Sequence, residues 1–389
     1  MIIGCISDTH EIDRAVIGEV IEEFKRRGVE IVAHMGDIIP EHVDPELFGG
    51  YPVICVLTKE QAFNPAFFMA PCNWHFVRPA YYKDQPSMGG HFADQEAEKK
   101  VRELEEFCMQ MRIFARLVRF GDIVAYFGHE RSFELFCNPQ KVRDFFSELN
   151  QVRDGVYLAM TGHMHHQFLF QNNGITWLNP GAVERSWNSS YEFAVYDTKK
   201  GEAVFARLSS QESKLKPVSV GIVSDTANVS ELDSGFWCRL VKEFQDRGVT
   251  NVICCGDFRT TDIGRPELSN FHVSYYLPPH TLDCQVKQAN WHRLDIEEPI
   301  IEIGGHRFYV QHGIGPEQAD FSEIQRDQAF HGLLTKHGRL DFIVAGLVPD
   351  TIFQEGQHYS FVNPGDARDH KRYACICLPR REYTFGTAK

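Results

Sequence analysis

Short apolar runs alternate with amphipathic segments from the beginning of the chain. Residues 2–7 form an apolar run typical of a buried strand. Residues 11–27 have the apolar spacing of an amphipathic helix, which Gly28 ends at the usual C′ position. Further strands are predicted at 29–35 and 51–57. The first half of the chain is therefore predicted to alternate strands with helices.

The second half of the chain repeats this order. Strands are predicted at 218–224 and 249–255, on either side of a helix at 233–247. Repeated strand–helix–strand units predict an α/β fold with parallel strands. Ligands of such sheets collect at the carboxyl ends of the strands. Chemistry-bearing residues are therefore expected at those ends.

Five short motifs recur in the same order in both halves. They are Asp8 with Asp225, Gly36-Asp37 with Gly256-Asp257, His129 with His312, Thr161–His165 with Ala345–Pro349, and Asn179-Pro180-Gly181 with Asn363-Pro364-Gly365. An ordered set of this kind predicts a tandem duplication. We place the domains at 1–208 and 217–389, with a polar linker at 209–217 between them.

The first copy is longer than the second between Asp37 and His129. Within this addition, residues 93–118 carry a narrow apolar seam at helical spacing, made of Val101, Leu104, Cys108, Met111, Ala115 and Val118. The seam predicts a helical insertion near 80–120. This helix either packs on its own domain or forms a contact with the second copy, a second subunit or another protein.

Composition narrows the class of protein. The opening residues lack the features of a signal peptide, and no apolar run has the length of a membrane span. Eleven scattered cysteines, of which Cys5, Cys55, Cys254 and Cys255 lie in apolar runs, favour free buried thiols and a cytoplasmic protein. A formal net charge of −13 disfavours long nucleic acids as partners and makes a nuclease the weaker alternative.

Carboxylates and imidazoles stand at the predicted strand ends. Asp8 and His10 are two residues apart, so their side chains point the same way. Asp37 follows the next strand, His129 ends another, and the two-residue spacing returns in the pair His163 and His165. This set predicts a metal site for Mn, Fe, Zn or Ni.

In this order the motifs resemble those of the calcineurin-like metallophosphoesterase superfamily, in particular its small bacterial and archaeal phosphodiesterases. The resemblance implies a β-sandwich of two sheets flanked by helices. It also implies that Asp8, His10 and His165 hold a first metal ion, Asp37 bridges, and His129 and His163 hold a second. Mn is the expected metal. The implied reaction is attack of a metal-bound hydroxide on a small phosphodiester.

One position departs from the family pattern. An asparagine ligand of the second metal is expected after the third strand, where this sequence has Lys59. An ammonium group has no lone pair and cannot bind a metal. The second ion is then held by three ligands, or Lys59 binds the substrate phosphate in its place, or Glu60 serves as the ligand. A fourth interpretation is that Lys59 is a solvated loop residue of an inactivated enzyme. Asp37, His129 and Lys59 are therefore the candidate catalytic residues.

Three other residues of the first copy are weaker candidates. His34 is expected to lie in the core or beside the ligands, and strand alternation points His166 to the opposite face. Arg185 is close enough in sequence to reach a phosphate, although a surface salt bridge accounts for it equally well.

The second copy keeps Asp225, Asp257 and His312 but has lost the other ligand types. Ala227, Leu347 and Pro349 replace histidines, and Pro279 stands where Lys59 stands in the first copy. We expect this copy to be a degenerate scaffold. A whole protein that acts only as a protein-interaction module is the main alternative to a phosphoesterase.

Overall fold

The fold is that of a computed structural model of the chain. The structure describes residues 1–58, 61, 67, 73–77, 117–120, 123–129, 144–147, 149, 157–172, 174–183, 190–208, 217–227, 233, 235–256, 265–277, 289–295, 297–312, 332–346, 350–356 and 359–388. Several predicted features lie outside these residues: Lys59, Glu60, Arg185, Asp257, Pro279, Leu347–Pro349, and nearly all of 93–118 and of the linker 209–217.

Strands dominate the described residues. In the first half they are β1 (Ile2–Ile6), β2 (Ile31–His34), β3 (Val53–Val56), β4 (Trp74–Val77), β5 (Leu117–Phe120), β6 (Ile123–Gly128), β7 (Leu158–Thr161), β8 (Gln167–Asn172), β9 (Ile175–Pro180), β10 (Tyr191–Asp197) and β11 (Glu202–Leu208). The second half continues with β12 (Val218–Ser224), β13 (Val249–Cys255), β14 (His272–Tyr275), β15 (Trp291–Arg293), β16 (Ile300–Ile303), β17 (His306–Gln311), β18 (Phe342–Ala345), β19 (Thr351–Glu355), β20 (Ser360–Asn363), β21 (Arg372–Leu378) and β22 (Glu382–Thr387).

Helices are few in the described part of the chain. The α-helices are α1 (Arg14–Arg26), α2 (Phe236–Asp246) and the single turn α3 (Ala367–His370), and the 3-10 helices are Pro40–His42 and Pro266–Leu268; residues 144–147 and 332–337 are also helical. None of the described helices is both long and apolar enough to span a bilayer. The molecule is a mixed α/β protein, as predicted.

Compactness divides the chain into two units. Unit 1 comprises Met1–His166 and Ile175–Thr198, and unit 2 comprises Gln167–Gly174 and Lys199–Lys389. Strands β8 and β11 thus belong to unit 2, although they lie in the first half of the sequence. A division by compactness need not follow a sequence repeat, so the domain limits 1–208 and 217–389 stay a prediction.

Unit 1 contains two sheets. Parallel strands run in the order β1-β2-β3-β4, with β10 antiparallel to β1. The second sheet has parallel β9-β7-β6 and antiparallel β5. The sheets face each other, because Cys5 Sγ of β1 lies 3.7 Å from Met160 Sδ of β7, and Tyr196 of β10 hydrogen-bonds to Thr176 of β9 at 3.3 Å. The predicted two-sheet fold is confirmed.

Helix α1 covers one sheet of unit 1. Its buried positions are Ile17, Val20, Ile21 and Phe24. A Cβ on Gly4 would lie 2.7 Å from the Phe24 ring, so only glycine lets the helix approach β1 this closely. The helix begins at Arg14 and not at Glu11, because the Asp13 side chain caps it by accepting from Ala15 N–H at 2.9 Å.

The end of the predicted helical segment 93–118 is wrong. Residues 117 and 118 belong to β5, which pairs antiparallel with β6 from Leu117↔Tyr126 to Phe120↔Ile123. Only Gly121 and Asp122 separate the two strands, a pair of residues typical of a tight hairpin. The hairpin extends the sheet up to Leu117, so the helical seam does not reach Val118.

Unit 2 also contains two sheets. Their strand orders are β15-β14-β13-β12-β21-β22-β11 and β16-β17-β18-β20-β19-β8. Strand β8 pairs antiparallel with β19 around Leu169↔Phe353, and β11 pairs antiparallel with β22 around Val204↔Thr384. The sheets pack through aromatic rings, including Phe205 and Phe353, whose centroids are 5.1 Å apart. Two strands from the first half therefore complete both sheets of unit 2.

The cysteines in apolar runs are buried, as predicted. Cys5, Cys55, Cys254 and Cys255 form no disulfide and are inaccessible to solvent. Burial raises the pKa of each of Cys5, Cys55 and Cys255 well above that of an exposed thiol. These thiols act as core residues.

Candidate metal centre

Two neighbouring strands of unit 1 end in the acidic part of the site. Asp8 and His10 follow β1, and Asp37 follows the parallel strand β2. The two loops are tied together, because Asp8 N donates to Gly36 O at 3.0 Å and His10 N donates to Asp37 O at 2.9 Å. Parallel pairing thus brings the two carboxylates to one edge of the sheet.

The histidines come from the facing sheet of unit 1. His129 follows β6, while His163 and His165 follow the parallel strand β7. The backbone N–H of His163 donates to Asp8 Oδ2 at 3.1 Å, so the β7 loop is fixed directly to the β1 loop. The predicted ligands therefore meet where the carboxyl ends of both sheets converge.

Six side chains form two overlapping groups of potential metal ligands. One group is Asp8, Asp37, His129 and His163, the other is Asp8, His10 and His165, and the ligand atoms within each group lie within 4.8 Å of one another. The common member is Asp8. Asp37 Oδ2 is 3.1 Å from His129 Nε2 and 3.8 Å from His10 Nε2, so it stands near members of both groups. Which carboxylate bridges stays a prediction.

Left-handed backbone marks almost every residue of these groups. Asp8, His10, Asp37, His163 and His165 have φ values of 54°, 33°, 52°, 72° and 52°. Non-glycine residues rarely adopt positive φ, and such strain collects at functional sites. The surrounding hydrogen bonds hold these backbones in place so that the side chains point inward.

Two glycines give His129 its space. A Cβ on Gly36 would lie 2.5 Å from His129 Nδ1, and one on Gly162 would lie 2.8 Å from it and 2.1 Å from Ser7 Oγ. Any larger residue would displace the imidazole. The glycines of the Gly-Asp and Gly-His motifs are therefore required by packing against His129.

The backbone orients the Nε2 nitrogen of His129 toward the two carboxylates. Its Nδ1 lies 2.5 Å from Met35 O, which can only accept, so Nδ1 carries the proton in that contact. The opposite nitrogen, Nε2, faces Asp37 Oδ2 at 3.1 Å and Asp8 Oδ1 at 3.9 Å. This is the arrangement by which proteins prepare histidine to bind a metal.

The electrostatics of the group favour a cation. Burial alone would raise the pKa of Asp8, but the nearby His165 and His129 and the Ser7 hydroxyl hold it at about 2. Asp37 also has a lowered pKa, because its hydrogen bond with His129 and the His129 charge outweigh burial. Burial would lower the pKa of His129, yet Asp37 and Asp8 raise it. Two ionised carboxylates thus share one small space.

The remaining atoms fit a divalent ion. Asp8 Oδ1 is buried and receives no well-oriented hydrogen bond from the described residues, although His165 Nε2 lies 3.2 Å away. Burial and the charge of His129 lower the pKa of His163, which leaves a neutral imidazole with a free lone pair. Carboxylate oxygens and neutral imidazole nitrogens are the donor set of Mn, Fe and Zn sites.

The site has a closed side and an open side. The side chains of Asp8 and His129 are 0% and 1% exposed. Those of His10 and His165 are 40% and 31% exposed, and His163 is exposed. A substrate can therefore reach the ligands from the side of the three more exposed histidines.

The weaker candidates occupy different places. His34 is fully buried beside the ligand loops, and burial lowers its pKa to about 3. His166 is half-buried and belongs to neither ligand group. Gln61, two positions after Lys59, hydrogen-bonds to Ile38 O at 2.8 Å and accepts from Thr58 N at 3.0 Å. Its amide is thereby committed to the loops around the site.

Two supporting residues, Ser7 and Thr9, were not predicted from the sequence. The Ser7 hydroxyl donates to Asp8 Oδ2, and Thr9 Oγ1 contacts His34 Nε2 at 3.0 Å. Both belong to the triplet Ser-Asp-Thr, which occurs again at Ser224 to Thr226. Recurrence of the whole triplet is the signal that points to them.

Unit 2 lacks a comparable group in its described residues. Asp225 has φ 52° and accepts a 2.5 Å hydrogen bond from Ser224 Oγ, as Asp8 does from Ser7. Within the described ranges, however, no set of three ligand-type side chains converges in this unit. Ala227 and His312, which stand where the sequence repeat places ligands, are both half-buried.

Comparison with known proteins adds structural neighbours. No family model and no curated protein matches the sequence. Among solved structures, an archaeal phosphodiesterase matches with 17% identity and a TM-score of 0.32, over 54% of this chain and 100% of that chain. Other neighbours are described as a phosphoesterase or a metallophosphoesterase.

Two further neighbours illustrate the range. A metallophosphoesterase from Sphaerobacter thermophilus matches with 15% identity and a TM-score of 0.28, over 64% of this chain and 95% of that chain. Vacuolar Protein Sorting 29 from Cryptosporidium parvum matches with 14% identity and a TM-score of 0.34, over 55% and 93%. At such low scores the superpositions assign no role to single residues.

Proposed function

We propose that the protein is a metal-dependent phosphoesterase whose active site lies in unit 1. The supporting observation is the convergence of Asp8, His10, Asp37, His129, His163 and His165 at one place. Their donor types fit two divalent ions. When bound, such ions polarise a phosphoryl group and make water more acidic.

The side chains of the chain itself have separable tasks. Asp8 is buried and ionised, so its carboxylate would hold the positively charged ions at the centre of the site. His129 presents Nε2 because Met35 O holds its other nitrogen. His163 is exposed, so it lies where a substrate phosphate would enter. In this proposal the buried residues Asp8 and His129 orient the metal ions, and the exposed His163 lies next to the substrate ester.

We propose small phosphodiesters as the substrate class. The open side is lined by the imidazoles of His10, His163 and His165, whose N–H groups can donate hydrogen bonds to an anionic ester. The net charge of −13 opposes a long polyanion. Hydrolysis of bis-p-nitrophenyl phosphate and of p-nitrophenyl phosphate would separate diesterase from monoesterase activity.

The proposed metals are two Mn ions per chain. Lys59, which lies outside the described residues, decides whether the second ion binds tightly. An ammonium a few ångström from an ion repels it by about 1–4 kcal/mol, depending on the effective dielectric. Lys59→Asn is expected to tighten the second ion by roughly ten-fold and to raise turnover at limiting Mn. A slower variant, with one metal per wild-type chain, would instead support Lys59 as a phosphate clamp.

We also propose that the second half is a copy of the first that has lost its metal site. Gly36 and Gly256 both have φ 109°, and Gly181 and Gly365 have φ 82° and 83°. The turns thus recur at corresponding motifs without the histidines. On this proposal all bound metal belongs to unit 1.

The deciding experiment is elemental analysis of the full-length protein combined with hydrolysis assays under added Mn. We expect up to two metal ions per chain and turnover that stops on chelation. His163→Ala should lose bound metal and turnover, whereas His312→Ala should keep bound metal and turnover. Metal without hydrolysis of any phosphate ester would favour the protein-interaction alternative. Absence of metal from the wild type would overturn the proposed function.

A further inference from the structure

A buried histidine stands between the two loops that carry the carboxylates. His34 is the last residue of β2 and is fully buried. It is not a member of either ligand group. Its ring contacts the β1 loop on one side, where Nε2 lies 3.0 Å from Thr9 Oγ1. On the other side its Nδ1 accepts from Gly36 N–H at 3.3 Å.

The direction of these hydrogen bonds follows from the partners. Gly36 N–H can only donate, so Nδ1 of His34 holds the lone pair. Burial keeps the ring neutral, since it lowers the pKa to about 3. A neutral imidazole with a free Nδ1 carries its proton on Nε2 and donates it to Thr9 Oγ1. One ring therefore links the middle of Asp8-Thr9-His10 to the start of Gly36-Asp37.

The linked loops are those with the strained backbone. Asp8, His10 and Asp37 all have positive φ. The loops also share the backbone bonds from Asp8 N to Gly36 O and from His10 N to Asp37 O. Strained conformations persist only where several contacts hold them together. The His34–Thr9 contact adds a side-chain tie to this backbone pairing.

The corresponding residues of unit 2 indicate whether Thr9 and His34 are needed for the fold of the turn or for the metal site. Thr226 follows Asp225 as Thr9 follows Asp8, and it is equally buried. Cys254 stands two positions before Gly256, where His34 stands before Gly36. Thr226 Oγ1 has no hydrogen-bond partner among the described residues. The same turn, with the same left-handed aspartate, thus forms without the imidazole.

We propose that Thr9 and His34 form a positioning pair that locks the two carboxylate loops in the geometry needed to bind metal. The observed contacts support the existence of the pair, and its role in metal binding rests on the proposed function. The pair touches neither substrate nor ion. Its loss should loosen the loops of unit 1 while the strands beneath them stay intact.

Thr9→Val tests the pair, because valine keeps the shape and removes the acceptor. In metal-free full-length protein, exchange of the Asp8 and His10 amides should become roughly 10-fold faster, since a buried donor is left unpaired. Affinity for Mn should weaken roughly 10- to 100-fold, as is usual when a group supporting a ligand is removed. Hydrogen–deuterium exchange and Mn titration provide the two readouts.

Matched variants control the test. Thr9→Ser retains the hydroxyl and should resemble the wild type in both readouts. Thr226→Val makes the same change in unit 2 and should leave Mn affinity unchanged. His34→Cys places in unit 1 the residue found in unit 2 and should reproduce Thr9→Val; it also serves if Thr9→Val does not fold.

The outcomes separate the inference from the proposed function. Unchanged amide exchange in Thr9→Val and His34→Cys would overturn the pair. Faster amide exchange with unchanged Mn affinity would mean that the Thr9–His34 contact is only structural, and it would overturn the positioning role. If the wild type binds no metal, the proposed function fails, and the exchange data still decide whether the tie between the loops exists.

Discussion

Asp8 of unit 1 and Asp225 of unit 2 each follow a parallel strand in a left-handed turn, with φ of 54° and 52°. Each accepts a hydrogen bond from the preceding serine. The Asp8 carboxylate is fully buried and lies in a cluster with Asp37 and four histidines. Asp225 is half-buried, and no ligand cluster surrounds it among the described residues of unit 2.

The backbone of the turn is the same in both units, whereas the metal-ligand side chains are found in unit 1. Gly36 and Gly256 adopt the same φ of 109°, and both would clash if given a Cβ, the first with His129 and the second with Ser224. The turn is therefore maintained in both units by glycine and serine. Ligand side chains are an addition that the fold does not need, and unit 2 keeps the turn without them.

The largest expected effect is the contrast between Asp8→Asn and Asp225→Asn. Asparagine tolerates the left-handed backbone, so both variants should fold. Asp8 belongs to both ligand groups, and its loss should remove the metals and lower turnover on the order of 10³-fold, about 4 kcal/mol. Asp225→Asn should change neither. Metal analysis and turnover measure this, and equal losses would mean that unit 2 takes part in the chemistry.

The next effect concerns Glu355, a buried carboxylate that is balanced by arginines, whereas Asp8 is balanced by histidines. Glu355 of unit 2 is paired with Arg207 at 2.8 Å and Arg381 at 3.4 Å. Burial would raise the pKa of Glu355, but these arginines lower it. Glu355→Gln removes the buried charge that faces Arg207 and Arg381, while Arg381 keeps Asp341 at 3.4 Å. The variant should cost about 3–4 kcal/mol of unfolding free energy near pH 7.

The pH dependence of that variant has a definite sign. A depressed carboxylate pKa contributes stability above the unfolded pKa of about 4.3, and this stability is lost as pH falls through the folded pKa. The difference in unfolding free energy between wild type and Glu355→Gln should therefore be constant above about pH 5.5 and shrink below about pH 4. Denaturant titrations across this range test it. A difference that grows on acidification would contradict the assignment.

A smaller effect is expected from Gly36→Ala and Gly256→Ala. Each forces a methyl group into contact with a side chain at 2.5 Å in a left-handed backbone. Both should lose about 2–3 kcal/mol of unfolding free energy. Only Gly36→Ala should weaken Mn binding as well, because its methyl group displaces His129. Metal affinity measured per folded molecule distinguishes them, and parallel losses would refute the separation of turn and ligands.

The smallest effect is that of Thr226→Val on stability. Its hydroxyl has no hydrogen-bond partner in the described part of the chain, so removal should change the unfolding free energy by less than about 0.5 kcal/mol or increase it. Thr9→Val, which breaks a contact with His34, should cost about 1–2 kcal/mol. Denaturant titration of both variants in metal-free protein makes the comparison. A large loss in Thr226→Val would indicate an interaction that the contacts do not reveal.

Local patterns predicted much of the fold. The apolar runs at 218–224 and 249–255 coincide with β12 and β13, and Gly28 closes α1 with φ 69°. The site was predictable for a similar reason, because parallel strands deliver their ends to one edge. Asp8, Asp37 and His163 meet there as a strand-end argument requires.

Other features have no local signal. That Asp8 belongs to both ligand groups depends on how two sheets face each other. The tie between Thr9 and His34 joins residues that only tertiary packing brings together. The segment ending at Val118 has a helical seam and a β-hairpin partner, and pairing with β6 prevails at its end. Membership of β8 and β11 in unit 2 depends on partners far along the sequence.

The pairing of β8 with β19 and of β11 with β22 has a consequence for biosynthesis. The partner strands lie roughly 180 residues downstream, so a ribosome adding 5–20 residues per second delivers them about 10–35 s later. During that interval Phe168, Leu169 and Phe170 have no β19 to pair with. An apolar unpaired strand edge recruits whatever strand comes first, including that of a neighbouring nascent chain. Slower translation of the second half should therefore lower the soluble yield even when the finished protein is stable.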